Sequence, residues 1–313
     1  MPLPSDEKIL ELSQALLAQF EKVFGLHPGF RPAHAKGLLL SGLFTPSPEA
    51  VSLTRAPHAL RESTPVTVRF SNSTGLPMLP DNDAKANPRG LAIRFHLAER
   101  VHTDIISHST DGFPTHTGEE FLAFLQAAVA SNPSMPSPTP VEQFLGAHPE
   151  TLAFVQTPKP APVSFATDKY FGVTAAEFLN QEGASRFGRY RITPEAGIQH
   201  LSDEAVQAKS PTYLFDEIAT RIASAAVSFQ IHVQLADPGD VTDNATIHWP
   251  ETRQLLPFGR IVLTGLTPES DQGQKHIIFD PIPRVDGILP SADPLLELRA
   301  AVYLISGRRR REA

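Results

Sequence analysis

Cysteine is absent from all 313 residues, which removes disulfides, thiolate metal sites and cysteine nucleophiles and suits a reducing, cytoplasmic setting. No apolar run is long enough to span a bilayer. Basic residues are outnumbered: 27 Lys and Arg against 34 Asp and Glu leave a net charge of -7, whereas a chain that coats nucleic acid needs a cationic face to displace counterions. Positive charge is also scarce at the start, where MPLPSDEKILELSQALL places acidic residues in the position a secretory leader fills with cations; this argues against export. Proline is plentiful. Its 30 copies imply many loops and short elements, while 41% hydrophobic residues suffice for one large core or two ordinary ones.

Hydrophobic spacing divides the chain into elements. Ser5 stands as the cap of a helix whose apolar residues Ile9, Leu12, Leu16, Leu17 and Phe20 recur at helical spacing, an arm over residues 1-25. An apolar run and turn, LLLSGLFTPSP, follow. Thr64 to Ser71 alternates strictly, so Arg69 and Ser71 share one face and Val66, Val68 and Phe70 the other. A buried arginine needs a partner, so Arg69 either points to solvent or meets an anion. Leu91 to Leu97 and Asp104 to Ser109 read as further strands.

Thr117 and Glu120 form a capping box ahead of the stripe Phe121, Leu122, Phe124, Leu125. Residues 131-162, rich in proline and serine, form a surface excursion with a helix starting at Thr139-Pro140. Tyr170 to Leu179 and Ser185 to Thr193 suggest a hairpin turning near Asn180 to Gly183. A helical pattern runs from Ser202 through Ile222, and Ala226 to Leu235, Phe258 to Thr264 and His276 to Asp280 read as strands. About eight strands with helices between and around them predict an α+β chain, a closed antiparallel eight-stranded β-barrel in a single domain spanning 1-313.

Two stretches carry candidate chemistry. FRPAHAKG sets His34 between two alanines and near the cations Arg31 and Lys36, leaving room beside an imidazole that can take and return a proton. Taken alone, it is equally a loop histidine bonded to backbone. Near the other end, Asp293-Pro294 predicts a helix start and Gly307 its close. Within that helix Arg299 and Tyr303 lie one turn apart. A guanidinium there can hold a phenolate ionised, as a ferric-ion ligand requires; the alternative is a surface contact beside a solvated basic tail, Arg308 to Arg311. His102, His116, His200, His232 and His248 lack partners at metal-ligand spacing and read as surface or strand residues.

Five blocks, RPAHAKG, VRFSNSTG followed by NPRGLAIRF, LLPFGRIVL, IIFDP and RAAVYLISGRRR, resemble the haem catalases in order and approximate spacing from about residue 25 onward. The short N-terminal arm and the end ten residues after Tyr303 resemble the compact catalase-related peroxidases. The resemblance implies the catalase-like haem fold and haem b, with residues 293-307 as its proximal helix. It sets His34 at the distal histidine, Ser71 at the serine that bonds it, Tyr303 at the iron ligand and Arg299 at the arginine that keeps that ligand ionised. It sets Arg31, Arg69 and Arg310 at residues that pair with haem propionates or flank the proximal side. Phe121 falls on an aromatic of the distal porphyrin face and Phe113 on another of the pocket.

One departure stands out: DIISHST places His108 where the family has its distal asparagine, and Gly307 also replaces a more polar residue. The resemblance implies a peroxidase that reduces hydrogen peroxide or organic hydroperoxides with a small organic electron donor, assembled as a homo-oligomer, a dimer being favoured. Peroxide disproportionation, rearrangement of fatty-acid hydroperoxides in the manner of allene oxide synthase, and haem carriage without catalysis are the alternatives.

Overall fold

A computed structural model describes residues 3-268 and 270-313 of the chain. The amphipathic helix α1 (Glu7–Phe24) leads into β1 (Gly37–Pro46), and the short helices α2 (Ala50–Leu53) and α3 (Pro57–Leu60) precede β2 (Thr64–Ser71), β3 (Gly90–Ala98) and β4 (Val101–His108). The excursion that follows contains α4 (Gly118–Ala130), α5 (Pro140–Ala147) and α6 (Pro149–Gln156). Next come β5 (Tyr170–Phe171), β6 (Ala176–Leu179) and β7 (Ser185–Pro194), then α7 (Asp203–Gln207), α8 (Tyr213–Ser224), β8 (Val227–Leu235) and β9 (Leu255–Leu266). The chain finishes with α9 (Ser270–His276), β10 (Ile288–Pro290) and α10 (Leu295–Glu312). Among the described residues no helix is long and apolar enough to cross a membrane.

Eight strands close a ring in the order β1-β2-β3-β4-β5-β7-β8-β9, with β9 returning to β1. Every pairing is antiparallel, and β6 and β10 extend the sheet beyond β7. The expected barrel is therefore present. One large apolar cluster fills it, drawing Phe44, Phe70, Phe95, Phe229 and Phe258 from five strands and Tyr170 from the two-residue β5. Alternation decides which residues enter: Val66, Val68 and Phe70 of β2 lie in this cluster at 2% exposure or less. Arg69 and Ser71 therefore stand on the outer wall, yet both are buried there too.

Outside the barrel, α1, α4 and α10 pack through Leu16, Leu17, Leu298 and Val302, with Phe121 and Tyr303 against them. Each such fully buried side chain stabilises by about 1.5-3 kcal/mol. Gly118 opens α4 because any Cβ there would collide with Leu298. Thr117 and Glu120 form the expected capping box, and Thr139 and Glu142 form a second at α5.

Several local expectations are corrected. Asp6, not Ser5, caps α1, its carboxylate accepting from Lys8 N at 2.8 Å; a negative charge suits a helix N-terminus. Residues 170-179 do not form one hairpin arm: 170-171 pair with 191-192 of β7, and 176-179 pair with 185-188. The helical run from Ser202 breaks at Ser210-Pro211 into α7 and α8. His276 to Asp280 is not a strand, since His276 ends α9 and the next residues are irregular. The last helix starts at Leu295, although Asp293 Oδ1 still accepts from Leu295 N at 2.9 Å. Gly307 does not close that helix, which continues to Glu312. Glycine is required there for another reason: a Cβ would strike Ile278.

Candidate active site

His34 lies in the loop ahead of β1 with φ of 54°, a left-handed conformation that costs a non-glycine residue about 1 kcal/mol or more. The loop holds it there. His34 N donates to Ser73 O at 3.0 Å, Ala35 N donates to Thr74 O at 2.9 Å, and Arg69 Nη2 donates to His34 O at 2.9 Å. The ring Nδ1 is 3.0 Å from Ser71 Oγ.

Sheet register explains the rest of this corner. Gly37, Ser71, Gly90 and His108 are successive cross-strand partners in one row across β1, β2, β3 and β4. Cross-strand partners project to the same face, so Ser71 and His108 flank Gly90 two strands apart, roughly 10 Å between their backbones. A Cβ on Gly90 would lie 2.5 Å from Ser71 Oγ and 2.8 Å from His34 Nδ1. The missing side chain is the space the His34 ring uses.

Both imidazoles are held neutral. Burial first, then the charges of Arg69, His108, Arg31 and Arg299, push His34 from 6.5 down to about 3. Burial and Arg299 lower His108 to about 4, against an opposing pull from Asp111. His108 Nδ1 is buried and has no hydrogen-bond partner among the described residues. Both residues nevertheless keep partly accessible surface, as expected for groups that face an interior space.

Arg299 and Tyr303 share one face of α10, as their spacing predicted. The guanidinium donates from Nη2 and Nε to the Tyr303 hydroxyl at 3.2 and 3.4 Å, and from Nη1 to Thr174 Oγ1 at 3.2 Å. Arg31, three residues before His34, and Arg310, further along α10 from Tyr303, both donate to the Ile277 carbonyl, so both ends of the chain meet at one segment. Phe113 and Phe121 stand together, ring centroids 5.2 Å apart, and Phe121 packs against the helix cluster that includes Tyr303.

Three arginines converge on residues 274-277. Arg31 donates to the carbonyls of Gln274 (3.1 Å) and Ile277 (3.0 Å), and Arg310 to those of Lys275 (2.9 Å) and Ile277 (2.8 Å). Arg69 donates to Gln274 Oε1 at 3.0 Å and to the carbonyls of His34 and Ala35. Arg69 thus neither reaches solvent nor meets a carboxylate; carbonyl oxygens satisfy it. Burial lowers all three: Arg31 also through the charges of Arg69 and Arg310, Arg69 to about 9 with the charge of Arg310, and Arg310 to about 10 with the charge of Arg311. Among the described residues none of the three has a carboxylate partner. Clustered cations with nothing but neutral acceptors favour an anionic guest. A planar group with two carboxylates, a phenolic oxygen on one side and an imidazole on the other suits these residues.

A family model described as catalase matches residues 29-312. The chain belongs to the catalase family. It is 35% identical over 285 residues to a catalase-related peroxidase of Mycolicibacterium paratuberculosis, covering 90% of this chain and 89% of the relative. It is 34% identical over 300 residues to a catalase-related peroxidase of Synechococcus elongatus, covering 94% and 87%. The solved structure of a fungal catalase superposes with a TM-score of 0.79 at 21% identity, covering 99% of this chain and 63% of that larger one. As a member of the catalase family the chain is expected to hold haem, and the donor set described above fits that group.

Within this catalase-family site, sequence reasoning had not singled out Gly90, Thr174 or Gln274. Gly90 sat unremarked in NPRG, and no local signal marks Thr174 or Gln274, because their partners lie 125 and 205 positions away.

Proposed function

We propose that the protein is a haem b-dependent peroxidase that reduces hydrogen peroxide or organic hydroperoxides at the expense of a small organic electron donor. Haem b, when bound, would supply the redox chemistry that peroxide reduction requires. Tyr303 is the protein's iron ligand, and the two N–H groups that Arg299 aims at its oxygen stabilise negative charge there. Arg31, Arg69 and Arg310 would hold the propionates, whose negative charge would offset the clustered positive charge. Phe113 and Phe121 supply apolar contact for the porphyrin.

His34 takes the proton from one oxygen of the peroxide and returns it to the other, which departs as water or an alcohol. Neutrality suits it as a base, and burial among cations keeps it neutral at working pH. Ser71 engages Nδ1 and so leaves Nε2 for the substrate. His108 offers a second neutral imidazole beside the same space.

The observation that carries this reading is the trio Arg31, Arg69 and Arg310, converging on residues 274-277 with no carboxylate partner among the described residues, in a chain that also pairs His34 with Ser71 and Arg299 with Tyr303. The test is reconstitution with haematin. A Soret band with tyrosinate charge-transfer features, followed by dye oxidation exceeding oxygen evolution on adding peroxide, is the expected result. Protein that stays colourless, or that binds haem but reacts with no peroxide, overturns it. Dominant oxygen evolution would instead indicate disproportionation, and hydroperoxide rearrangement without donor consumption a lyase or isomerase.

A further inference from the structure

The strand ends that carry Ser71 and Gly90, and the loop that carries His34, hold a second, largely buried group of residues. Asn72 follows Ser71, Arg89 precedes Gly90, and Lys36 lies two residues after His34. Alternation turns these three toward the barrel interior while Ser71 and Gly90 face the outer wall. Asp81, at the far end of the intervening loop, ties them together. Its Oδ1 accepts from Lys36 Nζ at 2.7 Å and Asn72 Nδ2 at 2.9 Å, its Oδ2 accepts from Leu214 N at 3.1 Å, and its carbonyl accepts from Arg89 Nη2 at 2.7 Å. Arg89 Nη1 donates to Asn72 Oδ1. Asn72, Asp81 and Arg89 have no exposed surface.

The network is bonded to the backbone that sets the histidine. Asn72 N donates to Lys36 O at 3.0 Å, and the next two residues, Ser73 and Thr74, provide the carbonyls that hold His34 and Ala35. A left-handed histidine persists only where its surroundings over-determine it.

We infer that Asp81, with Asn72, Arg89 and Lys36, is a positioning network for His34: it holds the 72-74 backbone so that the ring stays seated over Gly90 with Nδ1 on Ser71. Removing the charge of the carboxylate leaves Lys36 Nζ without its anionic partner and weakens the acceptor that holds Asn72 Nδ2, the residue on which Arg89 Nη1 also rests, and so releases the loop. The consequence for turnover rests on the proposed proton role of His34.

The experiment compares wild type, Asp81→Asn and Arg89→Lys, the latter keeping the charge but losing the two-pronged guanidinium. In haem-free protein labelled with nitrogen-15 histidine, wild type is expected to show His34 as one tautomer and Asp81→Asn as a mixture. In haem-loaded protein, cyanide association and reaction with hydrogen peroxide, each per bound haem, are expected to fall about tenfold in Asp81→Asn. In a His34→Gln background, Asp81→Asn is expected to add no further loss, because both act through the same ring. A merely structural role lowers melting temperature and haem content but slows both backgrounds alike. A single retained tautomer with per-haem rates within twofold of wild type, in both variants, overturns the inference, as does equal slowing in the two backgrounds. A tautomer mixture in a protein whose wild type ignores peroxide upholds the network and overturns the peroxidase reading instead.

Discussion

Ser71 and His108 stand on either side of Gly90 in one cross-strand row, so the His34 ring lies against a hydroxyl with a second imidazole beyond it. Gly90 is the element of that relationship most easily tested. Gly90→Ala places a methyl 2.5 Å from Ser71 Oγ and 2.8 Å from His34 Nδ1, which forces the ring to move. Peroxide reaction per bound haem should fall at least roughly tenfold, while haem uptake changes little. Stopped-flow peroxide mixing against Soret-normalised protein measures both.

His108 should govern how the reaction ends. An amide both donates and accepts, whereas a neutral imidazole donates from one nitrogen and accepts at the other. His108→Asn is expected to raise oxygen evolution relative to dye oxidation by about tenfold. An unchanged ratio on an oxygen electrode would show that His108 does not set the balance.

Arg31 should act with opposite consequences in the haem-free and haem-loaded protein. Arg31→Met removes a partly buried cation that Arg69 and Arg310 repel, so the haem-free protein should lose no more than about 1 kcal/mol despite two broken hydrogen bonds. Haem binding should weaken by about 1.5-3 kcal/mol with the loss of a charged donor. Urea unfolding and haem transfer to a scavenger protein report the two quantities separately.

Acid should destabilise the protein through histidines buried neutral. Burial, with Arg61 second, lowers His58 from 6.5 to about 4; its ring packs tilted against Phe95, centroids 4.8 Å apart, and its Nδ1 has no partner among the described residues. Between these two values the unfolded chain binds a proton that the folded chain refuses. Stability is therefore complete above about pH 6.5 and is lost as pH falls toward 4, by up to about 1.4 kcal/mol per pH unit for this one group. His58→Phe should abolish that share, about 2 kcal/mol at pH 5. Urea midpoints of haem-free protein at pH 7 and pH 5 provide the check.

The identity of the elements was largely legible in the chain itself. Period-two spacing exposed β2, β3 and β8, a capping box located α4, Thr139-Pro140 marked the start of α5, and the four-residue interval between Arg299 and Tyr303 foretold their contact. These follow from backbone geometry within one segment, where neighbours in sequence are neighbours in space. Elements without internal periodicity were harder to delimit: the two-residue β5 lay inside the expected 170-179 hairpin arm, and α9 gave no signal, its last residue His276 falling in the expected strand 276-280.

Long-range pairing decided everything that makes these residues a site. Gly307 looked like a helix end and proved to be clearance for Ile278; Arg69 looked solvent-bound or anion-bound and proved to be held by carbonyls from the 34-35 loop and by Gln274. The chain's own order specified which side chains can exchange protons, bear charge or alternate along a strand. Strand register and desolvation then determined which of them meet, because both depend on contacts between segments far apart in the chain, and no local interval encodes them.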